Sequence, residues 1–316
     1  MDAFDPLADV LEMVRVRGAV MAHVRARAPW GLRIGQAPRA TFHAVAAGAC
    51  WVRLTGRAPR ELLPGDVVLL PTGAPHTIAS TATGPTIPWD RIAKANARDA
   101  AGEVVLDGPG GSTHIICAAY DYDREVAHPL LSLLPSALFV SAQPESESSA
   151  VQTTLRLLRQ ELTARRSGSA TIIERLIDVL FVHVMRAWMD DNTHDTASWL
   201  KALRDPIVSR ALTALHSAPN APWTIEKLAS EVSMSRATLT RRFVALVGEP
   251  PLAYLTRWRM DLAARQLRDT DHALGAIAHD VGYTSEFAFS RAFSRLRGSP
   301  PGRYRVEARR RANAGA

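Results

Sequence analysis

Cysteine is almost absent from these 316 residues: Cys50 and Cys117 are the two present. Two thiols make no disulfide framework and suit a reducing compartment. Long apolar runs are missing too. The richest candidate, Ile172 to Trp188, is broken by Glu174, Arg175, Asp178, His183 and Arg186, so no segment approaches the ~20 residues that cross a bilayer. No opening segment combines a basic start, an apolar run and a small-residue cleavage site. Nor does any Ser/His/Asp or paired-carboxylate constellation stand out, which leaves metal chemistry as the one enzymatic route to weigh. These absences predict a soluble cytoplasmic protein with no membrane partner.

Hydrophobic residues make up 47%, enough to bury real cores, and the length suits two domains better than one. The net charge of +7 is unevenly spread. Residues 203–316 carry 18 Lys+Arg against 10 Asp+Glu, whereas residues 1–202 carry 20 against 21. All the basic excess therefore sits in the C-terminal third, as expected of a module that meets a polyanion.

Residues 1–140 read as β-rich. Short apolar runs at Cys50–Leu54, Val67–Leu70 and Ile115–Ala119 alternate with Gly and Pro punctuation, and Pro64-Gly65-Asp66 and Pro71-Thr72-Gly73 bracket one strand. A helix is predicted over Asp5–Val16. Residues 141–202 read as a linker followed by amphipathic helices at about 149–165 and 170–190. These helices need something to pack on, and a partner subunit in a dimer or the neighbouring domain would serve equally well. Residues 307–316 form a basic end, predicted to be disordered.

From about 203 onward the pattern is helical and contains a repeat. Val232 recurs as Val281, 49 residues on; after one inserted residue the offset is 50, pairing Ser235 with Ser285, Arg241 with Arg291, Phe243 with Phe293 and Gly248 with Gly298. Two copies at so long a period indicate a duplicated subdomain. Each copy reads as helix, tight turn, helix, with Thr224 and Ser235 as caps in the first. With Leu239, Phe243 and Val247 buried, the opposite face shows Arg236, Ala237, Thr240 and Arg241; in the second copy it shows Glu286, Phe287, Ser290 and Arg291. A recognition helix sets such side chains against base edges, and the Arg fork fits guanine O6 and N7. Arg242, Arg257, Arg259, Arg295 and Arg297 are assigned to phosphates, which give affinity without sequence choice.

The segment from Val208 to Tyr304 resembles the DNA-binding domain of the AraC/XylS family of bacterial transcription regulators. The resemblance is carried by Thr224-Ile225-Glu226-Lys227-Leu228-Ala229, by Met234 through Phe243, and by Ile277-Ala278-His279-Asp280-Val281-Gly282-Tyr283 with Ser285 through Tyr304. It implies two helix-turn-helix subdomains joined by a long helix at about Pro251–Leu267, reading two successive major-groove segments of double-stranded DNA.

More loosely, Leu7 to Pro135 resembles the cupin-type sensor domain of one branch of that family, through Phe42-His43-Ala44-Val45, Gly48 through Val52 and Leu63 through His76. The fold class expected is thus a two-domain α+β protein, an N-terminal cupin-like β-barrel followed by an all-α domain over 203–306. Two readings of His43, His76 and Cys117 stand side by side. Imidazoles and a thiolate suit a divalent metal such as zinc; equally, they suit a buried, hydrogen-bonded histidine core with apolar thiols. A His-x-His pair followed by Glu, usual in enzymatic cupins, is missing after His43. Redox sensing by Cys50 or Cys117 is a further option, and a small organic effector, with Trp30, Phe42 or Trp51 lining its pocket, is another. The leading expectation is a one-component, homodimeric, non-enzymatic regulator whose effector is a small molecule, a metal or an oxidant. The alternative is a metal-dependent cupin enzyme fused to a DNA-binding module.

Overall fold

The computed structural model describes residues 5–14, 17–37, 39–95, 103–121, 134–142, 148–164, 166–190 and 199–314. They divide into two compact units. One takes the described residues between 17 and 190; the other joins 5–14 to 199–314.

In the first unit, β1 (Arg17–Arg27), β3 (Ala40–Ala47), β6 (Val67–Leu70), β9 (Glu103–Leu106), β10 (Ser112–Asp121) and β11 (Leu138–Val140) form a six-stranded sheet in the order β11-β6-β3-β10-β1-β9. A second sheet has the order β5-β4-β7-β2-β8, with β2 (Gly31–Ile34), β4 (Cys50–Leu54), β5 (Arg60–Leu62), β7 (His76–Ala79) and β8 (Ile87–Pro88). No ladder joins the two sheets among the described residues, so the expected barrel is a double-sheet sandwich of the jelly-roll kind. The turn at Pro64-Gly65-Asp66 forms as its sequence requires: Gly65 takes φ +91° and Asp66 accepts from the Leu63 amide at 2.9 Å. A short helix α2 (Trp89–Ala95) follows β8.

The first six residues of β3 are buried, which alternation alone cannot achieve unless both sheet faces are covered. Val45 packs between the sheets with Val24, Val68 and Ile115. The other face lies under α3 (Ser148–Ala164) and α4 (Ser169–Asp190). There Phe42 meets Tyr120, whose ring contacts Phe181 and whose hydroxyl donates to the Ile177 carbonyl at 2.9 Å. Gly18 makes this approach possible: a Cβ there would sit 2.1 Å from Ile177 Cγ2. The two helices therefore spend one apolar stripe on their own sheet.

The second unit is helical: α1 (Pro6–Val14), α5 (Trp199–Arg204), α6 (Pro206–Ser217), α7 (Ile225–Glu231), α8 (Arg236–Val247), α9 (Pro251–Asp269), α10 (Leu274–Asp280), α11 (Glu286–Arg297) and α12 (Pro301–Ala314). The duplication is visible in the backbone bonds. Met234 N–H donates to Ala229 O and, 49 residues on, Tyr283 N–H donates to Ala278 O. Leu239 to Ser235 is matched at an offset of 50 by Phe289 to Ser285, and Tyr254 to Pro250 by Tyr304 to Pro300. Both turns need a left-handed residue, supplied by Ser233 (φ +57°) and by Gly282 (φ +84°). Only glycine suits the second, since a Cβ would meet Asn220 Cα and O at 2.8 Å.

Two features depart from expectation. The basic end from 307 onward continues α12 to Ala314, because Ala308 is buried and Arg309 holds Asp271 at 2.7 Å and the Thr270 carbonyl at 2.6 Å. The opening helix packs with the helical unit: Asp9 Oδ2 lies 2.6 Å from His216 Nδ1, and His216 Nε2 lies 2.6 Å from the Tyr254 hydroxyl.

Candidate nucleic-acid interface and inter-sheet cavity

The second helix of each helix-turn-helix is built the same way. Ser235 Oγ accepts from the Thr238 amide at 3.2 Å and Ser285 Oγ from the Ala288 amide at 3.3 Å, so both start on side-chain caps. Both end on a left-handed glycine, Gly248 at φ +88° and Gly298 at +72°. Leu239, Phe243 and Val247 bury one face of α8; Phe289, Ala292 and Phe293 bury one face of α11. The spacing then leaves Arg236, Ala237 and Arg241 exposed with Thr240 half-buried, and Glu286, Phe287 and Arg291 exposed with Ser290 half-buried. Phe287 is 72% exposed, the most exposed large hydrophobic side chain among the described residues, and the Arg291 guanidinium lies 5.8 Å from its ring centroid. Arg236 pairs with Glu226 at 2.8 Å on the open surface, a contact weak enough to exchange for a phosphate or base.

The five arginines assigned to phosphate separate into two groups. Arg295 is exposed, and Arg242 is partly exposed while holding Asp205, the cap of α6, at 2.6 Å. The other three are engaged internally. Arg257 binds Glu249 at 2.5 Å and faces Asp261 at 3.8 Å, and Arg297 closes on Asp261 from α11. Arg259 donates to the carbonyls of Pro219 and Ala221 at 2.6 and 2.8 Å. Their role is corrected from phosphate contact to internal bracing, because these guanidinium groups, unlike the exposed Arg242 and Arg295, are partly buried as well as held by Glu249, Asp261 or backbone carbonyls.

In the sandwich unit, a cavity of about 490 Å³ lies between the sheets. Leu32, Ile34 and Ile78 form one wall; Thr41, His43, Cys117 and Ala118 form the other, with Trp89 and Pro75 also lining it. Trp30, Phe42 and Trp51 are not among the lining residues. Phe42 faces the helices, and the aromatic that does contribute, Trp89, opens a helix that hydrophobic alternation did not reveal.

His43, His76 and Cys117 do converge. His43 pairs with Cys117 in the β3–β10 register, its Nδ1 3.0 Å from Cys117 Sγ and its Nε2 2.7 Å from His76 Nε2. His76 Nδ1 lies 2.8 Å from the Ala74 carbonyl. One proton arrangement satisfies every link: thiol to His43, His43 to His76, His76 to the carbonyl. That is a line, not a cage. His43 points its two nitrogens in opposite directions, so one ion cannot meet His76 and Cys117 through it. Among the described residues no group of three or more His, Cys, Asp or Glu is placed to hold a metal, and of the two readings of these side chains the contacts are those of the buried, hydrogen-bonded one. Burial lowers His43, aided by the charge of His76; burial also lowers His76, against its bond to Ala74.

Neither thiol has the setting of a redox sensor. Burial, with Asp66 and Glu61 nearby, pushes Cys50 up to about 12, and burial raises Cys117 as well, with Cys50 adding to it. Oxidation proceeds through thiolate, which both sites disfavour.

The two units correspond to known families. A cupin family matches residues 5–190 and a helix-turn-helix domain family matches residues 228–307. A putative AraC-like transcription regulator of Streptomyces lividans is 40% identical over 95% of this chain and 98% of its own. The HTH-type transcriptional regulator AlkR of Acinetobacter baylyi is 30% identical over 96% and 99%. Among solved structures, the DNA-binding domain of AdpA in complex with a target DNA is 34% identical, covering 34% of this chain and 96% of that one, with a TM-score of 0.32. The class is that of cupin-bearing helix-turn-helix proteins. Within it, this chain belongs to the family of AraC-like transcription regulators. No described helix is long and apolar enough to cross a membrane.

Proposed function

We propose that this protein is a one-component regulator that reads bases with α8 and α11 and takes up a small molecule between its two sheets. The observation that carries the DNA reading is the pair of matched helices, each capped by serine and presenting a polar face with an exposed arginine, Arg241 or Arg291. Arg236, Ala237, Thr240 and Arg241 would face one half-site, and Glu286, Phe287, Ser290 and Arg291 another. Arg242 and Arg295 are the phosphate contacts that the geometry leaves open. Because the two faces differ, the halves should differ in sequence. Selection of bound duplexes from a random pool is expected to yield a bipartite, non-palindromic site with its halves about 10 bp apart, one helical turn. A pool that stays random, or a single enriched block, would count against two readers.

The cavity is sized and lined like small-molecule sites, which span about 300–1,000 Å³. The line of hydrogen bonds through His43 supports this reading over the rival one, a metal-dependent enzyme. We infer dimerisation through α3 and α4, on which Leu157, Ile172 and Val179 stay 43–44% exposed; the last two lie seven residues apart on one face of α4. Sedimentation at micromolar concentration should give twice the chain mass, and a monomer there would end this inference.

A further inference from the structure

Thr41 shares the cavity-facing side of β3 with His43. It is 3% exposed, and its hydroxyl has no hydrogen-bond partner. A buried hydroxyl left unpaired is costly, and native structures seldom leave one so without a role. The other buried polar atoms on this wall are committed: both His43 nitrogens and Cys117 Sγ belong to the chain that ends on the Ala74 carbonyl. At the rim, the Gln36 amide donates to the carbonyls of Thr72 and Gly73 at 2.8 and 3.1 Å and so serves its own loop. Arg33 and Asp90, of opposite sign, are exposed there, where solvent screens them, and Arg39, half-buried two residues before Thr41, also lines the cavity. Most of the remaining lining is apolar: Leu32, Ile34, Ile78, Pro88, Trp89 and Ala118.

The geometry points to a ligand class for this cavity, resting on the effector reading above: a largely apolar or aromatic molecule carrying one hydroxyl or carbonyl oxygen, which pairs with Thr41. The oxygen anchors the molecule on β3 while its body fills the space against Trp89 and Ile78. A pure hydrocarbon would fit the walls but leave the hydroxyl unpaired. Discrimination therefore turns on one bond.

Calorimetric titration of the full chain with 1-naphthol and 1-methylnaphthalene tests this. Naphthol should bind roughly tenfold more tightly than methylnaphthalene, the scale of one hydrogen bond. In Thr41→Val, which keeps the shape and removes the hydroxyl, the advantage should vanish; Thr41→Ser should restore most of it. Thermal melting of both variants reports whether the fold is intact. Equal binding of naphthol and methylnaphthalene to the wild type, or a naphthol preference that survives in Thr41→Val, would each overturn the ligand class while leaving the cavity as a binding site. If the wild type binds neither probe, both the ligand class and the effector reading fail.

Discussion

The double variant Arg241→Ala/Arg291→Ala should lose between about 30-fold and 25,000-fold of its affinity for the selected DNA site. Each arginine that reads a guanine is worth roughly 1–3 kcal/mol. They sit on different helices, α8 and α11, each with its own core, so their losses should add. Both side chains are exposed, and exposed substitutions shift stability by no more than about 0.5 kcal/mol, so folding is not the cause. The informative control is random-sequence duplex. If these arginines read bases, the affinity for random DNA falls far less than for the site, and the singles relax preference at different halves. Equal losses on both DNAs would reassign the pair to phosphate contact. Arg291→Ala carries a further signature, because it strips the cation from the Phe287 ring and should blur preference for the thymine methyl as well.

Asp261→Ala should remove roughly 3–5 kcal/mol from the helical unit, the cost typical of breaking a buried ion pair from one side. Asp261 is 1% exposed and receives Arg297 from α11 and Arg257 from its own helix, both largely buried. Burial raises its carboxyl against the pull of both guanidinium groups. The bridge is thus no bonus of net energy in itself. Its removal is severe because it takes the Asp261 carboxylate from two largely buried guanidinium groups, of which Arg257 still holds Glu249. Denaturation followed by hydrogen exchange in α9 and α11 isolates the effect from the sandwich unit, since a two-domain chain has no single unfolding energy. A loss below 1 kcal/mol would mean that both arginines reach solvent and that the bridge braces nothing. A partial rescue by Asp261→Asn, which restores an acceptor but no charge, is expected.

The repeat was the most legible part of the chain. A shift from 49 to 50 in the spacing of Val232/Val281 and Ser235/Ser285 reappears, bond for bond, in the two turns. Such features are local: a cap, a turn and a helical period depend on residues within five positions of one another. The strand limits at Cys50–Leu54 and Val67–Leu70 were legible for the same reason. The arginines were not. Nothing near Arg297 announces that Asp261, 36 residues away, will hold it, and nothing in the helical period of α4 says that Gly18 has cleared a place for Ile177. His43, His76 and Cys117 were picked out by residue type, and they meet. Their arrangement turned on which way two ring nitrogens point, a matter of side-chain geometry that sequence does not carry. Thr41 drew no notice because a threonine in a strand is ordinary; only its lack of a partner sets it apart.

The opening helix has a practical consequence for dissecting this protein. Asp9 and Tyr254 grip the two nitrogens of His216, so the reading unit is assembled from both ends of the polypeptide. A fragment cut to begin near residue 199 would keep every base-reading side chain. It would also expose the surface that α1 covers and leave one histidine nitrogen without its carboxylate. Adding the first fourteen residues back as a separate peptide, or splicing them ahead of the fragment, should repair it. Domain surgery on this scaffold is therefore best planned as removal of an insert, with both flanking pieces retained.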